Sequence, residues 1–170
     1  VARQVGLDAT MCDYVMFLDA DDMLNPRAVE ILYKEAKRNN ADILSSDFIS
    51  DNGNGDSTYM DCFKIPVTWN HGKIYRVAYL RENNIRFLNE LRLNEDSYFN
   101  LVAVNCTKRH FRTHETTYVW MNNKDSLTRS VSDYDFFKKS NADYIYGQIK
   151  GIEKIYEVTG EVRPKLLAAT

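Results

Sequence analysis

The sequence predicts an α/β fold, a sheet flanked by helices, and three neighbouring stretches carry that prediction. Residues 14–18 (Tyr-Val-Met-Phe-Leu) are too few for a helix and too apolar for a loop, so they read as a buried strand. An amphipathic helix follows, and after it a second strand from Asp42 to Phe48. Strand, helix, strand in this order implies a parallel, right-handed unit. At 170 residues the chain suits one domain with a sizeable core.

The chain opens on Val1 rather than Met, in a helix-like segment from Ala2 to Thr10. Only Met11 to Asp13 separate that segment from the first strand. A parallel α/β sheet normally has more strands before such a strand, so a fragment is expected. Asn25-Pro26 is a helix start, with Asn at the cap and Pro at the first helical position. Val29, Leu32, Tyr33 and Ala36 then recur with helical spacing through about Lys37, and Asn39-Asn40 ends the helix. Residues 51–57 are polar and glycine-rich, as at a hairpin tip. They resemble a calcium loop only superficially, because Gly53 falls where a ligand should be. Trp69 to Arg76 reads as a short strand or loop leading into a helix through about Glu82, and Ile85 to Phe87 as a further short strand. Asn94 to Ala103 reads as a helix capped by Asn94, with Phe99, Val102 and Ala103 facing inward. Lys108 to Trp120 supplies one or two strands. Tyr134 to Val158 is helical in period, and the stripe Ile145, Ile149, Ile152, Ile155 is expected to pack against the domain, with a partner or membrane surface as the alternative.

Composition narrows the function classes. A net charge of −2 gives no basic field for nucleic acid. Cys12, Cys62 and Cys106 are widely spaced and make neither a metal knuckle nor a disulfide framework, which suits buried free thiols in a reducing cytosol. No apolar run approaches the roughly 20 residues of a membrane span, and no signal peptide is visible.

The first strand ends abruptly in three carboxylates, Asp19, Asp21 and Asp22. In open α/β sheets ligands bind just beyond the carboxyl ends of strands. Clustered carboxylates repel one another unless a cation or a proton neutralises them. Oxygen-only ligands favour Mg²⁺ or Mn²⁺, which in turn favours phosphate oxygens. The residues therefore point to a metal–diphosphate site. A plain acidic turn is the alternative, since Asp is common at caps and turns.

The motifs that surround these carboxylates occur in an ordered set. Ala2-Arg3-x-x-Gly6-Leu7 comes first, then Asp13-Tyr14-Val15-x-Phe17-Leu18-Asp19-x-Asp21-Asp22 and Pro26. Trp69-Asn70-x-Gly72-Lys73-Ile74-Tyr75-Arg76, Glu82-Asn83-Asn84-Ile85-Arg86-Phe87 and Asn94-Glu95-Asp96-x-x-Phe99-Asn100 follow. Tyr118-x-Trp120 and Ser126-Leu127-Thr128 close the set. From about residue 2 to 130 the chain resembles a family 2 glycosyltransferase with the GT-A fold, a Rossmann-like mixed sheet flanked by helices. The strands that normally open such a domain and bind the nucleotide base are not present before Val1. The resemblance divides the chain into the C-terminal part of a GT-A domain, residues 1–130, and a helical extension, residues 131–170.

The resemblance implies transfer of a sugar from a nucleotide diphosphate sugar to an acceptor hydroxyl, with inversion at the anomeric carbon. Asp21, with Asp19, would hold Mn²⁺ or Mg²⁺ and so neutralise the departing diphosphate. The alternative for Asp19 is contact with the ribose, and Asp22 would stand behind or cap the turn. Asp96 falls at the position of the general base, with Glu95 as the neighbour that orients it or the acceptor. Without the resemblance, Glu95-Asp96 is simply favourable charge at a helix N-terminus. Arg3 would contact the diphosphate or form a surface ion pair. Trp69 would stack on a sugar or lie in the core. Lys73 and Arg76 would serve acceptor phosphates or be solvated. His71, His110 and His114 do not form a spaced metal triad; His114 could approach the ion, and His71 has no assigned role. Implied partners are a nucleotide-sugar donor and a glycan or lipid-linked acceptor, with no nucleic acid. The implied location is the cytoplasm, with peripheral association at the inner face of the membrane as the alternative to a free enzyme.

Two rival readings fit parts of the pattern. A haloacid dehalogenase-type phosphatase also places Asp-x-Asp after an apolar strand, but the residue that usually follows is small and hydroxylic or Val, where this chain has Asp22 and Met23. A truncated, inactive domain that only binds or packs against a partner is the other.

Overall fold

The computed structural model describes residues 2–65, 68–122 and 134–161. Helix α1 (Ala2–Ala9) precedes strand β1 (Tyr14–Met16), a two-residue strand β2 (Met23–Leu24) and helix α2 (Ala28–Arg38). Strands β3 (Ile43–Asp51), β4 (Ser57–Met60) and β5 (Lys73–Arg76) lead directly into α3 (Val77–Glu82). Helix α4 (Glu95–Asn105), strand β6 (His110–Met121) and helix α5 (Tyr134–Thr159) follow. The Ser126-Leu127-Thr128 motif and the boundary near residue 130 lie outside the described residues.

The strands form one mixed sheet in the order β1-β5-β3-β6-β2, with β4 also paired to β3. Among the described residues β3 and β6 are the one parallel pair; the other pairs are antiparallel. β1 and β3 therefore run in the same direction, as strand–helix–strand implied, but β5 lies between them. Six consecutive residues of β3, Ile43 to Phe48, are buried, because helices cover both faces of the sheet. Alternation divides them: Ile43 joins Tyr75, Phe99 and Val102 under α4, while Leu44 joins Ile74, Leu32 and Ala36 under α2. On the α4 side Phe87 and Phe99 stack with centroids 4.1 Å apart, and Phe17 meets both edge-on.

Several expectations are corrected. Ile85 to Phe87 is not a strand: the Phe87 N–H donates to the Gln4 side chain (2.9 Å) rather than to a neighbouring strand. α2 begins at Ala28, two residues past Pro26, and buries Ala28, Leu32 and Ala36; Val29 and Tyr33 are exposed. Asn94 does not cap α4. It has left-handed backbone (φ 59°) and its amide donates to Ser140 of α5 instead. Of the isoleucine stripe on α5, Ile155 packs as expected, joined by Gly147 and Gly151, whereas Ile145 and Ile149 are 59% and 52% exposed. At about 100° per residue these glycines lie on another side of the helix from Ile145 and Ile149. Only there can backbone approach α4 closely enough to touch Tyr98 and Leu101. Of the thiols, Cys62 is buried, Cys106 half-buried and Cys12 exposed. No helix among the described residues is long and apolar enough to cross a membrane.

Candidate active site

Phe17, locked into the aromatic core, fixes the chain as it leaves β1 and delivers Asp19 to the rim of a cleft. A tight turn follows, closed by the Asp22 N–H donating to the Asp19 carbonyl at 3.1 Å. β2 then pairs with β6, which brings Asp22 under that strand. The Tyr118 hydroxyl donates to Asp22 Oδ2 at 2.5 Å and the Met121 N–H to Oδ1 at 2.8 Å. The Asp22 side chain is only 1% exposed, and burial, with Asp19 and Asp21 beside it, pushes its carboxyl above the usual range. Asp21 is exposed on the same rim.

From the other side α4 presents Glu95 and Asp96 in its first turn. Arg3 of α1 bridges the two walls, donating to both Asp19 and Glu95. The Asp96 carboxylate accepts the Ser97 N–H at 2.8 Å. Burial and then the Glu95 charge push its carboxyl up to about 6. The cleft between the walls has a volume of about 340 Å³ and is lined by Asp19, Asp21, Asp22, Trp69, Arg92 and Asp96, among others. A second hollow of about 660 Å³ adjoins it along α1 and the end of β1.

His71, which the sequence left without a role, sits at the floor. Its ring stacks on Tyr118 (5.1 Å) and Trp120 (5.3 Å), and its Nε2 lies 4.0 Å from Asp22 Oδ2. Burial holds it neutral, with a pKa lowered to about 4, and among the described residues its Nδ1 has no hydrogen-bond partner. Asp19, Asp22 and His71 each offer a ligand atom, all within 4.8 Å of one another. Two carboxylates and a neutral imidazole are a donor set that a divalent ion accepts. Asp21, which sequence reasoning paired with Asp19, lies on the rim of the same cleft. Tyr118 and Trp120 were legible as an i, i+2 aromatic pair on one face of a strand.

The remaining candidates are placed as follows. Trp69 is half-buried, edge-on to Phe48, and lines the cleft. Gly72 lets the segment from Trp69 to Lys73 lie against β3: its φ is +61°, and a Cβ there would lie 2.9 Å from the Ser46 carbonyl oxygen. Lys73 is buried, its ammonium donating to the Trp69 carbonyl, and burial lowers its pKa to about 7. Arg76 donates twice to Asp42, at 2.6 and 2.8 Å. Neither cation faces the cleft, so neither is available to acceptor phosphates. His114 approaches Asp47 (3.0 Å), not Asp19, and His110 is buried against Ser45. Arg92, which sequence reasoning missed, lines the cleft beside Asp96.

Residues 1–99 match the family model described as glycosyl transferase family 2. The chain belongs to that family. Among curated relatives of this family 2 chain, poly(ribitol-phosphate) beta-N-acetylglucosaminyltransferase TarP of Staphylococcus aureus (strain N315) is 26% identical over 98% of the chain and 58% of TarP. TarS of S. aureus (strain Mu50 / ATCC 700699), which bears the same enzyme description, is 26% identical over 80% of the chain and 26% of TarS. A crystal structure of S. aureus TarS 1-349 in complex with UDP-GlcNAc superposes with a TM-score of 0.74 at 22% identity, over 94% of this chain and 47% of that one. The GT-A-like fold expected from the motifs is thereby shown, and the phosphatase reading is set aside. The family 2 chain spans little more than half of TarP and about a quarter of TarS.

Proposed function

We propose that the protein containing this chain transfers a sugar, with inversion, from a nucleotide diphosphate sugar to an acceptor hydroxyl in the synthesis of a cell-surface polymer. The observation that carries this reading is the opposition of Asp19 and Asp21 to Glu95 and Asp96 across one cleft. In this reading Asp19 and Asp21 hold Mn²⁺ or Mg²⁺, with Asp22 and His71 behind them. The bound ion supplies Lewis-acid neutralisation of the departing diphosphate. Arg3, already between Asp19 and Glu95, orients those carboxylates and can give a bidentate contact to phosphate. Asp96 takes the acceptor proton; a carboxyl held near 6 is ionised at neutral pH yet more basic than an ordinary Asp, as a general base should be. Glu95 keeps Arg3 in place and raises the basicity of Asp96. Trp69 and Trp120 offer aromatic faces to sugar rings at the cleft wall.

The acceptor is taken to be a glycan or lipid-linked chain at the cytoplasmic face of the membrane, and residues 131–170 a helical extension of the transfer domain. The test is a donor screen: a panel of nucleotide sugars, with Mn²⁺, Mg²⁺ or EDTA, on the full-length protein. Donor consumption that requires the ion and is lost in Asp96→Asn supports the reading. A full panel with no binding and no turnover defeats it, and favours a domain that only packs against a partner.

A further inference from the structure

Helix α5 uses one side to hold the domain, where Gly147, Gly151 and Ile155 meet Tyr98 and Leu101 of α4. A second apolar line runs along the helix about 140° round from that contact. Ile145, Ile149, Ile152 and Tyr156 recur at spacings of four, three and four, and Ala142 precedes them by three. Ile145, Ile149 and Tyr156 are exposed, and Ile152 is half-buried. At about 100° per residue these positions keep to a strip about 80° wide. Strict alternation of threes and fours on a narrow strip is the seam of a coiled coil, on which a second helix lays a strip of its own. A membrane surface fits less well. The helix carries four lysines against two aspartates and two glutamates, so no net charge draws it to anionic lipid.

The charges beside the seam decide which helix. Lys139 and Glu153 flank it on the same side, one towards each end. Laid antiparallel on a second copy of itself, the seam sets Ile145 against Ile149, Ala142 against Ile152 and Lys138 against Tyr156 of the other copy. In that register the two-fold axis brings Lys139 of each copy beside Glu153 of the other, two opposite-charge pairs at once. Glu153 is exposed and holds Lys150 along its own helix at 2.8 Å, so it is open to a second cation. A parallel pair has no such match, because Lys139 would then face Tyr134, and Glu153 would face Gln148. We infer that this face of α5 is an interface between two copies of the protein, paired antiparallel along Ile145, Ile149 and Ile152, with Lys139 of each against Glu153 of the other. The pairing does not depend on which reaction the cleft performs.

The test is sedimentation of the full-length protein over a range of concentrations, with three variants. The unsubstituted protein should be a reversible dimer. Ile149→Asp puts a charge at the centre of the seam and should weaken the dimer by about a hundredfold or more. It should fold as before, because the side chain is exposed in the single copy. Lys139→Glu sets like charges together at both ends and should weaken the dimer about tenfold. Adding Glu153→Lys to Lys139→Glu re-forms both pairs with the signs exchanged and should restore the affinity. An unsubstituted protein that sediments as a monomer at every concentration overturns the inference and gives the face to another part of the polypeptide. A dimer untouched by Ile149→Asp overturns it as well. A loss in Lys139→Glu that Glu153→Lys fails to reverse overturns the antiparallel register. Binding of the unsubstituted protein, but not of Ile149→Asp, to vesicles of phosphatidylcholine and phosphatidylglycerol would assign the face to a membrane instead.

Discussion

Asp96→Asn should remove activity and add stability, and both effects follow from the same buried charge. Burial, reinforced by Glu95, moves the Asp96 carboxyl from 3.8 to about 6. Each unit of displacement is about 1.4 kcal/mol, so keeping this group ionised at pH 7 costs the fold up to about 3 kcal/mol. The folded value lies above the unfolded one, so the cost is fully present above about pH 6 and vanishes below about pH 4. Asn has the size of the protonated acid and no charge. Urea denaturation should therefore show Asp96→Asn more stable by up to about 3 kcal/mol at pH 7 and equal to the unsubstituted protein near pH 4. Sugar transfer should fall by about 10²–10⁴ with donor affinity nearly unchanged, as for loss of a general base. In the unsubstituted enzyme transfer should decline as the pH drops through about 6, when Asp96 takes up its proton. A variant destabilised equally at both pH values would refute the buried-charge reasoning. Near-normal turnover would refute the base and point to Glu95.

Other perturbations test other parts of the molecule. UDP binding measured by calorimetry should require Mn²⁺ or Mg²⁺, and Asp21→Ala or Asp19→Ala should abolish the effect of the ion; equal heats in EDTA would dismiss the metal. Gly72→Ala must place a Cβ 2.9 Å from a backbone carbonyl at a positive φ, so a chemical melt should register a loss of about 2 kcal/mol or more. Asp42 is opposed by burial, but bonds from Arg109, Thr107 and Arg76 hold its carboxyl below the usual range. Its depressed value contributes stability above about pH 4 that is lost on further acidification. Asp42→Ala should thus cost about 3 kcal/mol at neutral pH, by leaving the buried arrangement of Arg76 without its counter-charge, and flatten the acid limb of the stability profile.

The architecture was legible where local signals were strong. The β3 run, the β5–α3 junction and the inward face of α4 follow from apolar periodicity, and the structure has them within a few residues of expectation. What escaped depends on contacts distant in sequence. Ile85 and Phe87 look like a strand because they alternate, but the partner that claims the Phe87 N–H is a helical glutamine more than eighty residues earlier. The isoleucines of α5 mark a hydrophobic period without saying which side of the helix meets α4. Two glycines, silent in any apolar count, decide that. At the cleft, the Asp19–Asp21 spacing and the Glu95–Asp96 pair drew attention from chain order alone. The turn that brings Asp22 near Asp19, the neutral His71 beneath them and the position of Arg92 emerge only when β2 pairs with β6 and α5 ties down the start of α4.

The bonds that close the cleft also constrain how it can be lost. Arg3 reaches Glu95 across 92 positions, and Asp22 meets Tyr118 across 96 and Met121 across 99. Closing a loop of that length from a free chain costs about 4 kcal/mol in configurational entropy, more than the roughly 1–3 kcal/mol that one such bond returns. None of these contacts can hold by itself. They persist because the sheet between them has already brought their ends together, so the cleft has no existence as a local structure. A ligand that binds there senses the whole fold, and its release on heating should coincide with global unfolding rather than precede it.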